Sequence, residues 1–363
     1  MSPNTISFTR DHNDDFTITL RRRINEYFRS KNKSKFGNSK ILVKSIFMIS
    51  LYLVPYFFLL SGIFTSGVTV VLLYSLMGLG VAGIGLNIMH DANHGVLSKN
   101  RKLNSILAFS MDFIGSNGSL WRIQHNVLHH TYTNIHEADE DLNNFPFLLR
   151  FSPNQKLRKS HSYQYIYAWF FYAQMTLARI LVTDFIKVFE YRKNGHIKTK
   201  KEFIKSLVTL IFFKTFYFTY IFVLPMMLLD VSPWALVLGF ILMHQVAGFI
   251  LAVIFQLAHV MPDLNFPVAE SDGKVNEKWL IHELKTTCNF GTNSKILTWL
   301  VGGLNHQVEH HLFSNICHIH YPAISSIVRD TALEFGLPYN NKKTFFSAIN
   351  GHIKMLKELG SKN

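Results

Sequence analysis

Three imidazoles crowd into six residues in the stretch WRIQHNVLHH, where His125, His129 and His130 follow Trp121. On a helix, His125 and His129 lie one turn apart on the same face, and His130 stands close enough to share a metal ion or bridge to a second. Two further clusters repeat the theme: His90 and His94 in HDANH, and His306, His310 and His311 in NHQVEHH. A lone histidine beside apolar sequence is normally a satisfied core residue, so the signal is the grouping, with eight of the eighteen histidines in these three places. Imidazole-rich sites suit zinc, copper, iron and nickel, so ligand type alone does not choose the metal.

The elements that must position these clusters are apolar. Of 363 residues, 48% are hydrophobic and 14% aromatic, and the excess sits in long runs. Residues 41–64 are apolar apart from Lys44, and residues 68–89 carry no charge; a bilayer crossing needs about 20 such residues. A second pair follows at 203–229, with Lys214 inside it, and at 234–258. The links SGIFTSG and DVSP are short enough to be tight turns, which makes two helical hairpins. His90 and His94 fall where the second span emerges, with Gly95 as a helix stop, and His259 falls where the fourth span ends. Residues 105–118 are apolar but too short to span and read as interfacial or re-entrant, and 161–191 read as a surface-lying amphipathic helix. Asp14 to Arg29 has the pattern of a short amphipathic helix, read as an interfacial lead-in.

Charge gives the orientation. Lysine and arginine outnumber the acids by 37 to 23, a formal +14, which fits basic flanks held against an anionic leaflet. The two short links contain no lysine or arginine, so the positive-inside rule places both termini and the long middle loop in the cytosol. Four spans then put all three histidine clusters on one face of the membrane, as a shared site requires. They also exclude soluble nucleic-acid binding as the main role. Two cysteines, neither in a CxxC pair, argue against a disulfide framework and a zinc ribbon. No signal-peptide core precedes the first span, which is expected to act as the targeting signal itself. The sequence thus predicts an all-α integral membrane protein with four transmembrane helices in two hairpins and a cytosolic helical cap holding a histidine-rich dimetal site. Its expected parts are an N-terminal cytosolic or interfacial segment, 1–40, a membrane domain, 41–340, and a C-terminal cytosolic tail, 341–363.

HDANH, HNVLHHTYTN and NHQVEHHLF, in this order and separated by paired spans, resemble the three histidine boxes of the membrane fatty acid desaturases. The likeness is to the front-end and acyl-lipid branch, whose third box begins with glutamine, as in Gln307-Val308-Glu309-His310-His311; Ser314 stands where that branch usually has proline. The resemblance implies a non-haem di-iron centre that uses O2 and two electrons to place a double bond in an acyl chain, carried on a lipid or on CoA. Matched box by box, the ligands it implies are His90 and His94, then His125, His129 and His130, then Gln307, His310 and His311, with His259 as the additional histidine after the fourth span. His306 keeps the spacing of the second box and stays a candidate beside Gln307. Asp91, Asn93, Asn126 and Glu309 lie between ligands, where such side chains can orient imidazole N–H groups; Asp91 is read that way, and the other three as solvated side chains at a wet helix end. No His-Pro-Gly-Gly haem motif is present, so the implied electron source is a separate ferredoxin or cytochrome b5.

The same centre would serve a hydroxylase or ketolase acting on another lipid, since motifs report the site and not the product. A metal transporter would place polar ligands near the bilayer midplane. Here the spans are almost free of such residues, Asn87, His244 and Gln245 being among the few, and the clusters lie at or beyond their ends. His136, His244, His282, His318 and His320 read as structural, and the acids Asp139 and Asp141 of HEADED as a solvated loop.

Overall fold

The computed structural model describes residues 6–9, 14–142 and 147–361. The chain is mostly helical and packs into two compact units, one of residues 38–123 and 169–253, the other of residues 1–37, 124–168 and 254–363.

The first unit is built on four helices long and apolar enough to cross a membrane: Ser39–Leu60, Gly67–Asn93, Lys200–Leu228 and Pro233–His259. They agree with the four expected spans to within a few residues at each end, the first stopping at Leu60 rather than 64 and the second running on to Asn93. Local chemistry sets their starts. Asn38 Oδ1 accepts from Lys40 N at 3.0 Å ahead of the first span, and Ser66 Oγ accepts from Thr69 N at 3.2 Å ahead of the second. The third opens with a reciprocal capping box, Thr199 with Glu202. Large apolar side chains such as Leu42, Val43, Phe57, Val68, Val208 and Phe212 are exposed on these helices, as a lipid-facing surface requires.

Small residues set how closely the spans approach. A Cβ on Gly80 would lie 2.6 Å from Tyr52 N on the first span, and one on Gly78 would lie 2.5 Å from Met243 O on the fourth. The second span is thus wedged between two neighbours at backbone contact distance. In the third span residues Thr219–Val223 wind as a π-helix. Carbonyls at such a turn lose regular partners, and tyrosines from the other hairpin supply them: Tyr56 Oη donates to Tyr220 O at 2.7 Å and Tyr74 Oη to Ile221 O at 2.6 Å. Lys214, the charge inside this span, is buried with its Nζ 2.8 Å from Asp184 Oδ2 and 2.7 Å from Gly115 O. Asp184 also accepts from Asn117 N at 3.1 Å, so a buried ion pair ties the 101–122 segment to the third span. That segment forms helices Arg101–Ala108 and Ser110–Phe113, with Leu103, Ile106 and Phe109 exposed on one side.

In the second unit, the stretch read as an interfacial lead-in is a core helix. Asp15–Ser30 buries Phe16, Leu20, Ile24 and Phe28, one residue every four, against Leu280, Leu284, Leu312, Ile324 and Val328. A stripe at that spacing is enough to dock a helix onto protein, while its arginines take the opposite side. Arg23 adds a contact to Glu334 at 2.6 Å. Residues 345–360 are likewise a packed helix, with Gln164 Nε2 donating to Leu356 O at 2.9 Å and Arg150 Nη1 to Leu359 O at 2.6 Å. Two short parallel bridges, Ser7–Phe8 with Lys274–Val275 and Asn289–Phe290 with Asn341–Lys342, pin distant parts of this unit together.

Candidate metal centre

In the first unit, His90 and His94 end the second span, their ring centroids 4.8 Å apart and both edge-on to Trp121 at 5.9 and 6.3 Å. The preceding Gly85–Met89 stretch is a π-helix. Gly95, at φ +76°, closes the helix as expected, its N–H on Ala92 O at 3.0 Å and that of Val96 on Asp91 O at 2.9 Å.

In the second unit, the second histidine box winds as a π-helix over Ile123–His129 and continues through His130–Tyr132. This changes which imidazoles are neighbours. His125 and His129 stack at 5.4 Å, but His125 and His130, five residues apart, are closer at 4.7 Å. His129, His259 and His311 are fully buried and bring one ring nitrogen each to within 4.8 Å of one another; His130, His310 and His311 do the same. His130 Nε2 and His310 Nε2 are 2.9 Å apart, and the His125 ring lies parallel to that of His310 at 5.8 Å. The end of the fourth span thus brings His259 to the boxes.

The third box forms the short helix Gln307–Leu312 with His306 at its cap. Gln307 is buried at the start of this helix, and His306 Nδ1 stands 3.6 Å from Glu309 Oε2. Glu309 accepts from Asn289 Nδ2 at 2.9 Å and Tyr339 Oη at 2.8 Å, and Asn289 Oδ1 in turn accepts from Val308 N at 2.8 Å.

Behind the imidazoles stand acids that sequence reasoning undervalued or missed. The Asp139 carboxylate, read as part of a solvated loop, is fully buried, with both oxygens 3.1 Å from His129 Nδ1. Glu283, on helix Trp279–Thr286, places Oε2 2.8 Å from His311 Nδ1 and 3.0 Å from the Thr133 hydroxyl. Tyr321 Oη lies 3.2 Å from His310 Nδ1. These partners turn the Nε2 edges of the three rings the other way. His129 Nε2 has no hydrogen-bond partner among the described residues, an arrangement that costs free energy unless its lone pair meets a cation. Burial works against charge on His129, but Asp139, with Asp141 behind it, outweighs that and raises its pKa above the ordinary imidazole value. Burial also drives the Glu283 carboxyl well above the carboxylate range, so a cation on the far side of His311 is what would keep it ionised. The donor set, neutral imidazole backed by carboxylate, fits a divalent transition metal.

His282, on the same helix, packs its ring 5.0 Å from Phe8, and burial lowers its pKa to about 4. His244 is hydrogen-bonded to the Tyr217 hydroxyl at 2.7 Å. His244 thus has a hydrogen-bond partner, whereas neither ring nitrogen of His282 has one among the described residues.

Residues 65–343 match the profile of the fatty acid desaturases. The chain belongs to that family. It is 35% identical over 360 residues to an acyl-lipid (8-3)-desaturase of Physcomitrium patens, covering 98% of this chain and 74% of that one. It is 32% identical over 360 residues to an sn-1 linoleoyl-lipid 6-desaturase of Arthrospira platensis, with 99% and 96% covered. A Synechocystis protein described in the same words is 33% identical over 364 residues, with 99% of each chain covered. The chain is therefore a membrane fatty acid desaturase, an oxidoreductase of lipid metabolism, with a histidine cluster that could bind a metal.

Proposed function

We propose that His90, His94, His125, His129, His130, His259, Gln307, His310 and His311 hold two iron ions. His306, turned to Glu309, supports the helix that carries its neighbours. The observation that carries this reading is the pair of buried imidazole groups sharing His311, in which His129, His311 and His310 are backed by Asp139, Glu283 and Tyr321 respectively. When bound, the iron pair supplies the oxidising power, drawn from O2 and two electrons, that an unactivated C–H bond demands. The protein's part is positioning and exclusion. Asp139 and Glu283 accept the Nδ1 protons of His129 and His311, fixing the tautomer whose Nε2 carries the lone pair that would ligate. Burial keeps water from the reacting carbon.

The substrate is an acyl chain esterified in a membrane lipid, in keeping with relatives described as acyl-lipid and linoleoyl-lipid desaturases. Both termini and the active site face the cytosol, because the turns at 61–66 and 229–232 lack lysine and arginine. Electrons come from a separate carrier protein. The test is the fatty acid profile of host membranes expressing the chain with such a carrier, against His129→Ala, together with iron per purified chain. New double bonds that require His129, with about two irons per chain, are the expected result. Hydroxylated lipids in their place would reassign the chemistry, and zinc with no lipid change would end this reading.

A further inference from the structure

Desaturation balances as –CH2–CH2– plus O2, two electrons and two protons giving –CH=CH– and two waters, so electrons must reach the site from outside. Two features of the histidine unit coincide at one place on its surface, and their significance rests on the proposed desaturase function.

The first feature is a chain of aromatic contacts. Tyr27 and Phe28 lie side by side near the end of the N-terminal helix, ring centroids 5.3 Å apart. Phe28 meets the His320 ring edge-on at 5.1 Å. Tyr321 follows in the chain, and its hydroxyl is 3.2 Å from His310 Nδ1. Five side chains with π systems thus run from half-buried Tyr27 to an imidazole of the candidate centre, and the four beyond Tyr27 are buried. Contiguous covalent and van der Waals contact of this kind shortens the through-space gaps that most slow electron tunnelling.

The second feature is charge. Arg21, Arg22, Arg29, Lys31 and Lys33 are exposed on this helix and the turn after it. Lys33 Nζ lies 3.5 Å from the Tyr27 hydroxyl and Lys35 Nζ 5.9 Å from the Phe28 ring centre. Between residues 21 and 35 the one acid is Glu26, which faces Arg22 at 3.8 Å. We infer that this basic face is the docking surface of an acidic one-electron carrier protein, and that Tyr27 and Phe28 are where its electrons enter. Anionic lipid headgroups would be drawn to the same charges, but they have no use for an aromatic route that ends on His310; the coincidence of charge and route selects the carrier.

The test uses the full chain in nanodiscs of neutral phosphatidylcholine, with a plant-type [2Fe–2S] ferredoxin and the soluble domain of cytochrome b5 as probes. Reversing three exposed charges, Arg29→Glu, Lys31→Glu and Lys33→Glu, is expected to weaken binding of a carrier about tenfold or more and to flatten its salt dependence, because such pairs act by electrostatic steering. Iron content and thermal midpoint stay as in the parent chain. Tyr27→Leu is expected to leave affinity unchanged while slowing oxidation of the pre-reduced carrier, followed by its own absorbance in stopped flow. Failure of both carriers to bind the parent chain, or binding indifferent to the three reversals, overturns the inference. So does a loss of binding seen only with anionic vesicles. Because binding is read without turnover, charge-dependent docking in a preparation that makes no double bonds would sink the function and leave this surface standing.

Discussion

Asp139→Asn isolates the part played by the carboxylates behind the proposed metal ligands. Asp139 Oδ1 accepts from Asp141 N at 3.0 Å and Oδ2 from Asn134 N at 2.9 Å, and both oxygens face His129 Nδ1 at 3.1 Å. Asparagine offers one acceptor oxygen, so whichever way it turns its NH2 must face a backbone N–H and the imidazole N–H in a fully buried pocket. One lost hydrogen bond with the donor opposite left unsatisfied costs about 1–3 kcal/mol. Removing the negative charge behind a ligating histidine typically lowers metal affinity by about 10- to 100-fold, which is about 1.4–2.7 kcal/mol. The two estimates agree in size. The assay is iron per chain, by mass spectrometry, after equilibration with graded chelator, with the thermal midpoint recorded on the same samples. Asp141→Asn is the control, its carboxylate being 3.9 Å from His129 Nδ1 and partly exposed. If the Asp139→Asn chelator curve superimposes on that of the parent chain, Asp139 does not tune the centre and the reasoning from buried acid to metal fails.

Asp112 tests the other unit by pH. Burial, with Asp184 adding like charge, raises its pKa from 3.8 to about 6. The folded state therefore holds the extra proton across that window, and the stability Asp112 contributes is full below pH 3.8 and lost as pH rises through about 6; about two pKa units set an upper bound near 3 kcal/mol. Asp112→Asn is expected to raise the thermal midpoint in detergent above pH 7, with the gain vanishing below pH 4. Lys214→Met leaves buried Asp184 with Arg179 as its one cation among the described residues, Nη1 at 3.3 Å from Oδ1, and should cost at most about 3–5 kcal/mol, whereas the double change with Asp184→Leu should recover only part of it, because Asn117 N and Arg179 then lose their acceptor, as paired unfolding measurements will show. Tyr74→Phe deprives Ile221 O of its donor and should cost about 1–3 kcal/mol of stability with iron content intact. Gln307→Ala is expected to abolish new double bonds in expressing cells, while His306→Ala keeps them.

Much of the architecture was legible because lipid permits so few solutions. A run such as 68–89, free of charge, has to satisfy every backbone group within itself, so span, hairpin and the place where His90 emerges follow from composition alone. The boxes were legible because imidazole is rarely repeated without cause. The N-terminal helix was misplaced for an instructive reason: the stripe Phe16, Leu20, Ile24, Phe28 says only that one face is apolar, and a bilayer surface and a protein core are equivalent partners for such a face. Asp139 and Glu283 were invisible for another. An acid that serves an imidazole through its Nδ1 need only be close in space, and these reach His129 from ten residues away and His311 from twenty-eight. HEADED looks solvated because its composition is that of a loop, and it is a loop, one folded inward around His129.

The winding of the second box is the deeper limit. Sequence periodicity assumes about 3.6 residues per turn, which places His125 and His129 on one face and turns His130 away from His125 by about 140°. Over Ile123–His129 the backbone bonds i to i+5 instead, and His125 and His130 become the closer pair. A wider turn gathers three imidazoles from six residues onto one side, which a regular helix cannot do. The same winding stands directly before His90, at Gly85–Met89, and in the third span, where it exposes the carbonyls that Tyr56 and Tyr74 recover. A π turn is less well bonded than an α turn, so each needs compensation from outside the helix. In the third span that compensation is visible as two tyrosine hydroxyls. In the second box it is the Asp139 carboxylate on His129 and, with iron bound as proposed, the metal on the other edge of the ring. Ligand binding and backbone winding are then one equilibrium: whatever removes the ion also removes part of the reason for the π turn, and the box relaxes toward a helix whose imidazoles no longer converge.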